Sequence, residues 1–156
     1  MIPNVRNMRY PQGPRNIERN LIARLREKGY KLTPQRLSII KLLARDMSHP
    51  GARDILQKVR KTVPRISMST VYYTLDMMKE EGLIRELEYY DADNRYDINV
   101  SDHINLVCTK CGKITDFTGD LPSFSKAVEK ETGFKPARMR FEYYGICGDC
   151  AGVKGC

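Results

Sequence analysis

Cys108 and Cys111, and then Cys147 and Cys150, form two Cys-x2-Cys pairs separated by 35 residues. No other feature constrains the fold as much, because a group that uses all four thiols must bring two distant segments together. Each pair is expected on a tight turn whose amides support thiolates. Four thiolates in tetrahedral array suit zinc and leave no open coordination position, so the site would be structural. It would tie the strands around the first pair to the C-terminal tail. A thioredoxin-like dithiol needs a single pair in a βαβ setting, and neither pair has one. Two disulfides are the other alternative, reached on oxidation. The opening "MIPNVRNMRYPQGPRN" lacks the apolar stretch of a secretory signal. A cytoplasmic location is therefore expected, and reducing conditions favour metal over disulfide. Cys156 is left over and is expected to be a free thiol.

A chain of 156 residues suits one domain or two small ones, and an apolar fraction of 41% is enough for packed cores. No run of about 18 apolar residues occurs, so no membrane span is expected. The net charge of +8 is unevenly spread. Residues 1–45 carry 11 basic and 2 acidic side chains, whereas residues 46–156 carry 16 and 17. A basic first third on a near-neutral remainder points to an anionic partner such as nucleic acid, against the plainer reading of a solvated face.

Residues 1–14 contain three prolines and a glycine and read as a loose arm. From Asn16, apolar residues recur at helical spacing (Ile17, Leu21, Ile22, Leu25), with arginines outward and Gly29 as the stop. Thr33 followed by Pro34 is a cap and first-turn signal for a second helix, whose apolar stripe is Leu37, Ile40, Leu43 and Ala44. A third helix turns Ile55, Leu56 and Val59 inward. A fourth is capped by Ser67, turns Val71, Leu75 and Met78 inward, and stops at Gly82. Then "LIRELEYY" and "RYDINV" read as strands joined by "DADN". Helices followed by a hairpin give a winged helix, a helix-turn-helix variant whose last helix enters the major groove. Ser69, Thr70, Tyr72 and Tyr73, in the first turns of that helix, are candidates for base or phosphate contact, with one tyrosine expected in the core. Arg24, Lys31 and Arg36 are candidates for phosphate contact.

Beyond residue 100 the composition changes. Two short strands flank the first cysteine pair, and "LPSFSKAVEKETG" reads as a helix with Phe124, Ala127 and Val128 inward. "ARMRFEYYGIC" reads as a strand leading to the second pair. A domain of about 50 residues with so small a core often needs a structural metal.

The stretch "SDHINLVCTKCGKITDF" holds more polar chemistry than the cysteines need. In an extended 103–108, His103 and Asn105 face away from Cys108. With Asp97 upstream, Asp116 on the returning strand and His49 at the third helix, they either belong to a second metal site or are caps and turn residues. Spacing alone leaves both readings open.

The pieces "LTPQR", "HP" ahead of the third helix, "STVYYTLDMMKEEGLIRE", "DHINLVCTKCGKITDF" and "FEYYGICGDC" occur in an order that resembles the ferric uptake regulator family of metal-dependent repressors. The resemblance covers nearly the whole chain from about residue 16. It implies an α+β protein: an N-terminal winged-helix DNA-binding domain (15–98, after the arm 1–14) and a small α/β dimerisation and zinc-binding domain (99–156). It implies a homodimer on an inverted-repeat operator in double-stranded DNA, with structural Zn(II) on Cys108, Cys111, Cys147 and Cys150. It also implies regulatory Fe(II) or Mn(II) on His49, Asp97, His103, Asn105 and Asp116. Asp at 116 is similar to the peroxide-sensing branch, in which oxidation of a histidine ligand, here His49 or His103, releases the operator. Plain iron or manganese sensing is the alternative within the family.

Relatives usually carry His where Asn105 stands, and the His-rich run that many have before the first cysteine pair is missing. Tyr72 matches the family's tyrosine, which packs on a thymine methyl, whereas Tyr73 stands where Arg is frequent. No nucleophile-base pair, phosphate loop or organic-substrate motif is evident, so an enzyme is not expected. A zinc-ribbon interaction module without DNA binding is the remaining rival, and the basic winged-helix pattern argues against it.

Overall fold

The computed structural model of the chain describes residues 13–88, 93–118, 121–137 and 139–152. Most of the expected arm, part of the 91–94 turn and Cys156 lie outside the described residues. The chain divides into two compact units, the first ending at Val100 and the second beginning at Ser101.

The first unit opens with α1 (Pro14–Glu27), one residue inside the expected arm. Pro14 suits a first helical turn because the amide it lacks has no intrahelical partner there. Leu21 and Leu25 are buried on one face, and Gly29 at φ +81° ends the helix in a conformation open to glycine. Helix α2 (Pro34–Leu43) is capped by Thr33, whose hydroxyl accepts from the Arg36 amide at 3.4 Å. Ile40, Leu43 and Ala44 of the expected stripe are buried, and Ile39 is fully buried in place of Leu37, which is only half-buried. Helix α3 (Ala52–Arg60) buries Ile55, Leu56 and Val59. Helix α4 (Met68–Glu80) is capped by Ser67, which accepts from the Thr70 amide at 3.1 Å, and buries Val71, Leu75 and Met78. Leu25, Ile39, Ile40, Leu43, Ile55, Leu75 and Met78 are the largest fully buried apolar side chains. Each contributes roughly 1.5–3 kcal/mol relative to exposure. Strands β1 (Arg85–Leu87) and β2 (Arg95–Asp97) pair antiparallel, with Arg85 opposite Asp97, and complete a winged helix.

The second unit is a three-stranded sheet in the order β4-β3-β5. Strands β3 (Ile104–Cys108) and β4 (Ile114–Phe117) form an antiparallel hairpin around the first cysteine pair. Strand β5 (Phe141–Gly145) lies parallel to β3. A parallel neighbour needs a crossover, and α5 (Leu121–Thr132) lies within it. The short α6 (Gly148–Ala151) carries Cys150. One expectation fails here: on α5, Phe124 is 52% exposed, Ala127 is exposed and Val128 is half-buried. The rings of Phe124 and Phe141 meet edge to face, 5.5 Å between centroids. A three-stranded sheet is too small to cover the whole apolar face of a twelve-residue helix, and periodicity cannot distinguish a face buried within a chain from one covered by a second copy.

Candidate metal centres and DNA-reading surface

Backbone turns gather the four thiols. After β3, the chain reverses at Gly112, whose φ of +70° suits glycine and whose amide donates to the Cys108 carbonyl at 2.8 Å. The Thr109 amide donates to the Gly145 carbonyl at 2.8 Å, which joins this knuckle to the end of β5. The Cys147 amide then donates to Cys108 Sγ at 3.3 Å. All four sulfurs lie within 4.8 Å of one another, and Cys111 Sγ is 3.7 Å from Cys147 Sγ. A disulfide needs about 2.05 Å. A tetrahedron of zinc–sulfur bonds near 2.3 Å has edges of about 3.8 Å. The observed spacing is therefore that of a closed zinc site. The amides of Cys147 and Cys111 pull the Cys108 thiol down to about 6. Hydrogen bonds that the Cys150 S–H donates to Cys111 and Cys147 push this thiol up to about 12. Without a cation the cluster favours one thiolate and resists the last, and a divalent ion removes that conflict.

The second set of candidates occurs as a pair in one unit and a trio in the other. In the first unit, His49 precedes Pro50 and sits at φ +54°, the only non-glycine residue in the left-handed region among the described residues. Such a backbone costs of order 1 kcal/mol and persists only where its surroundings impose it. The Tyr96 amide donates to the Pro50 carbonyl at 3.1 Å, and Gly51 bridges to Arg95. This stitches the His49 turn to β2, which ends at Asp97. His49 Nε2 is 3.6 Å from Asp97 Oδ1, and both side chains are buried. Upstream, Asp46 accepts from the Ser48 amide and hydroxyl and from Lys58 Nζ, at 2.6 Å for the lysine. Burial disfavours the Asp46 carboxylate, but these hydrogen bonds outweigh it and hold the group below its ordinary value.

In the second unit, His103 Nδ1 lies 2.8 Å from the Ser101 carbonyl. A carbonyl only accepts, so the Nδ1 carries the proton here, which in the neutral ring leaves Nε2 its lone pair. Nε2 is 3.8 Å from Asp116 Oδ1. Asn105 is opposite Asp116 in the β3–β4 register. The Asn105 side chain is buried, and its Oδ1 has no hydrogen-bond partner among the described residues. An amide oxygen in that condition costs about 1–3 kcal/mol. A cation would relieve the cost, so the donors fit a hard or borderline divalent ion. Along β3, Asn105 and Val107 are buried while Ile104 and Leu106 are half-buried, the alternation expected of an extended segment.

On α4, both tyrosines are outside: Tyr72 is 46% and Tyr73 57% exposed. The expectation that one of them packs in the core is therefore wrong, since Val71, Thr74 and Leu75 fill the inward turn. Ser69 is exposed, whereas the Thr70 hydroxyl is 2.9 Å from Ser67 Oγ in the cap. Arg24 and Lys31 are exposed. The Arg36 guanidinium donates to the Lys31 carbonyl at 2.5 Å and lies 4.6 Å from the Tyr73 ring centroid. That stacked pair was not legible in sequence, because it joins residues 37 positions apart on two helices.

Residues 27–144 match the ferric uptake regulator family. The peroxide operon regulator of Bacillus subtilis is 41% identical over 128 residues, 81% of this chain and 88% of that protein. The Campylobacter jejuni peroxide stress regulator superposes with a TM-score of 0.68 at 34% identity, covering 83% of this chain and 98% of that one. The Helicobacter pylori ferric uptake regulator, described as having three functional metal-binding sites, superposes with a TM-score of 0.77 at 25% identity, covering 92% and 97%.

Proposed function

The chain belongs to the ferric uptake regulator family, and on that premise we propose that it is a metal-dependent, DNA-binding transcriptional repressor that responds to peroxide. The observation that carries this reading is the second donor set. His103 has its tautomer fixed by Ser101, Asp116 lies beside it, and Asn105 presents a buried oxygen without a partner. None of these belongs to the thiol cluster. With His49 and Asp97 of the winged-helix unit they would supply five nitrogen and oxygen donors, a set suited to Fe(II) or Mn(II). Bound there, Fe(II) supplies one-electron chemistry toward peroxide that Mn(II) does not.

The remaining steps belong to the chain's own residues. His49 and Asp97 move with the reading helix, and His103, Asn105 and Asp116 with the sheet. A conformer in which all five donors converge is stabilised by the ion, and the population shifts toward it. Operator binding in turn tightens metal binding by the same factor. Oxidation of His49 or His103 removes a donor and reverses the shift. Carrying the four thiols on the same unit, but as a separate sulfur site, keeps the fold intact while the sensor responds.

The protein acts as a homodimer on an inverted-repeat operator, in the cytoplasm where its DNA is. Tyr143 and Tyr144 of β5, Ile146, Phe134 and Phe124 are exposed on the second unit, and β5 is a sheet edge. A monomer exposing so much apolar surface is unusual, and pairing with a second copy would cover it. Family membership favours this reading over an isolated zinc-ribbon module or an enzyme.

A second reading, iron or manganese sensing without peroxide chemistry, is favoured by one observation: Asn105 leaves a single histidine on the sheet side of the donor set. The deciding experiment is anaerobic Fe(II) loading, a peroxide pulse, and mass analysis of the peptides holding His49 and His103. A 16 Da gain on either, absent with Mn(II), is expected. Unmodified histidines with operator release by peroxide would contradict histidine oxidation as the route, and absence of any release would favour plain metal sensing.

A further inference from the structure

The stacked pair on the reading surface has an arrangement that a set of independent phosphate contacts does not need. Arg36 sits in the first turn of α2, and its guanidinium is held at two points, by the Lys31 carbonyl at 2.5 Å and by the face of the Tyr73 ring at 4.6 Å. An arginine recruited only for a phosphate keeps its fork free for bidentate contact. Here one arm of the fork is engaged by the Lys31 carbonyl, and the flat face by an aromatic ring. Tyr73 has the complementary character: it is 57% exposed, next to the outward Tyr72, and its ring lies against a guanidinium from a neighbouring helix.

We propose that Arg36 and Tyr73 act as one stacked unit in operator recognition, in which Arg36 is a positioning residue that fixes the Tyr73 ring so that it reads a thymine methyl group. The pair deepens the DNA-binding function and rests on it. A tyrosine ring offers an apolar face and one hydroxyl. The major-groove feature that matches an apolar face is the C5 methyl of thymine, whereas guanine presents two acceptors that want a charged fork. An unfixed surface tyrosine samples several rotamers, and contact with one methyl group repays little of the entropy of fixing it. Fixing the ring beforehand, through a cation over its face, removes that cost. The charge then acts on specificity through the ring, and lysine, which lacks the plane, cannot substitute.

The test uses full-length, zinc-replete protein with Mn(II). Wild-type, R36A, R36K, Y73A and Y73R proteins are taken through selection from a randomised operator library, followed by affinity measurement over a salt series. The wild-type protein is expected to enrich thymine at one position per half-site. Replacing that thymine by uracil, which removes only the methyl, should weaken binding about four-fold, the worth of one buried methyl group. R36A, R36K and Y73A should each lose that preference and the uracil penalty together, while Y73R should select guanine there. R36K, which keeps the charge, separates ring positioning from phosphate contact. If R36A and R36K keep the thymine preference and weaken all sequences alike, with R36A also losing about one unit of salt slope, Arg36 is a phosphate contact and the proposal is overturned. Equal thymine enrichment by Y73A also overturns it. Circular dichroism melts identify any variant that fails to fold, and Y73R, which alters only an exposed side chain, keeps the question decidable. Failure of the wild-type protein to bind any DNA with metal would instead overturn the repressor reading beneath it.

Discussion

At the scale of single residues, Asn105 is the most informative side chain. Its oxygen is buried and lacks a partner among the described residues, so it either serves a ligand or only costs stability. Asn105→Ala is expected to weaken Mn(II) binding on the order of ten-fold, the scale on which shell contacts act. The same change should leave the thermal stability of the metal-free protein within about 1 kcal/mol of wild type, since it removes an unsatisfied group. Calorimetric titration beside melts in chelator checks both halves; an unchanged Mn(II) affinity would remove Asn105 from the ligand set. His103→Ala is expected to abolish metal-dependent operator binding while zinc content stays the same, as measured by anisotropy and elemental analysis. The residues that sequence could supply were those with intrinsic local meaning. Thr33 and Ser67 were legible as caps, Gly29 and Gly82 as stops, and the four cysteines as a zinc set. Ile39 against Leu37, and the outward turn of Tyr72 and Tyr73 together, depend on which helix packs behind them, and a short apolar run does not encode that. The stack of Arg36 on Tyr73 is tertiary for the same reason.

At the scale of elements, the turn before α3 and the knuckle after β3 are small pieces of backbone held by polar contacts. Asp46 fixes the former through Ser48 and Lys58. Its carboxyl is held below its ordinary value, so its contribution is present above about pH 4, the unfolded value, and is lost as pH falls through the lower folded value. Asp46→Asn should cost about 0.5–1 kcal/mol at pH 7, after discounting for solvent around the lysine pair, and progressively less as pH falls through the lowered folded value. A difference that persists unchanged in acid would contradict the assignment. The knuckle is held more strongly. Cys150→Ser should release the zinc and lower the melting temperature of the second unit, whose own core is limited to residues such as Val107, Ile114 and Leu121. Helix α5 shows where periodicity stops being sufficient: the stripe of Phe124, Ala127 and Val128 was legible, but not what covers it.

At the scale of the whole molecule, the division after Val100 gives a reading unit and a sheet unit, and the proposed function requires that an ion couple them. The exposed edge of β5 supplies the expected route to a dimer. Tyr143→Arg, placing a charge on that edge, should shift the species in sedimentation velocity toward monomer and weaken binding to a two-half-site operator; an unaffected dimer would place the interface elsewhere. Each unit has its own periodicity and its own punctuation in the sequence. The proposed coupling has no such signature, because donors contributed singly by a turn, a strand end and a hairpin have no spacing rule. The central claim, that a nitrogen and oxygen site separate from the sulfur-bound zinc controls DNA binding, is tested most directly by titrating Mn(II) into zinc-replete protein with a labelled operator, beside His49→Ala. Mn(II) is expected to raise wild-type affinity at least five-fold, within the usual range of coupling between sites, and to leave the variant unchanged. Equal wild-type affinity with and without Mn(II), with four-thiol zinc retained throughout, would contradict it.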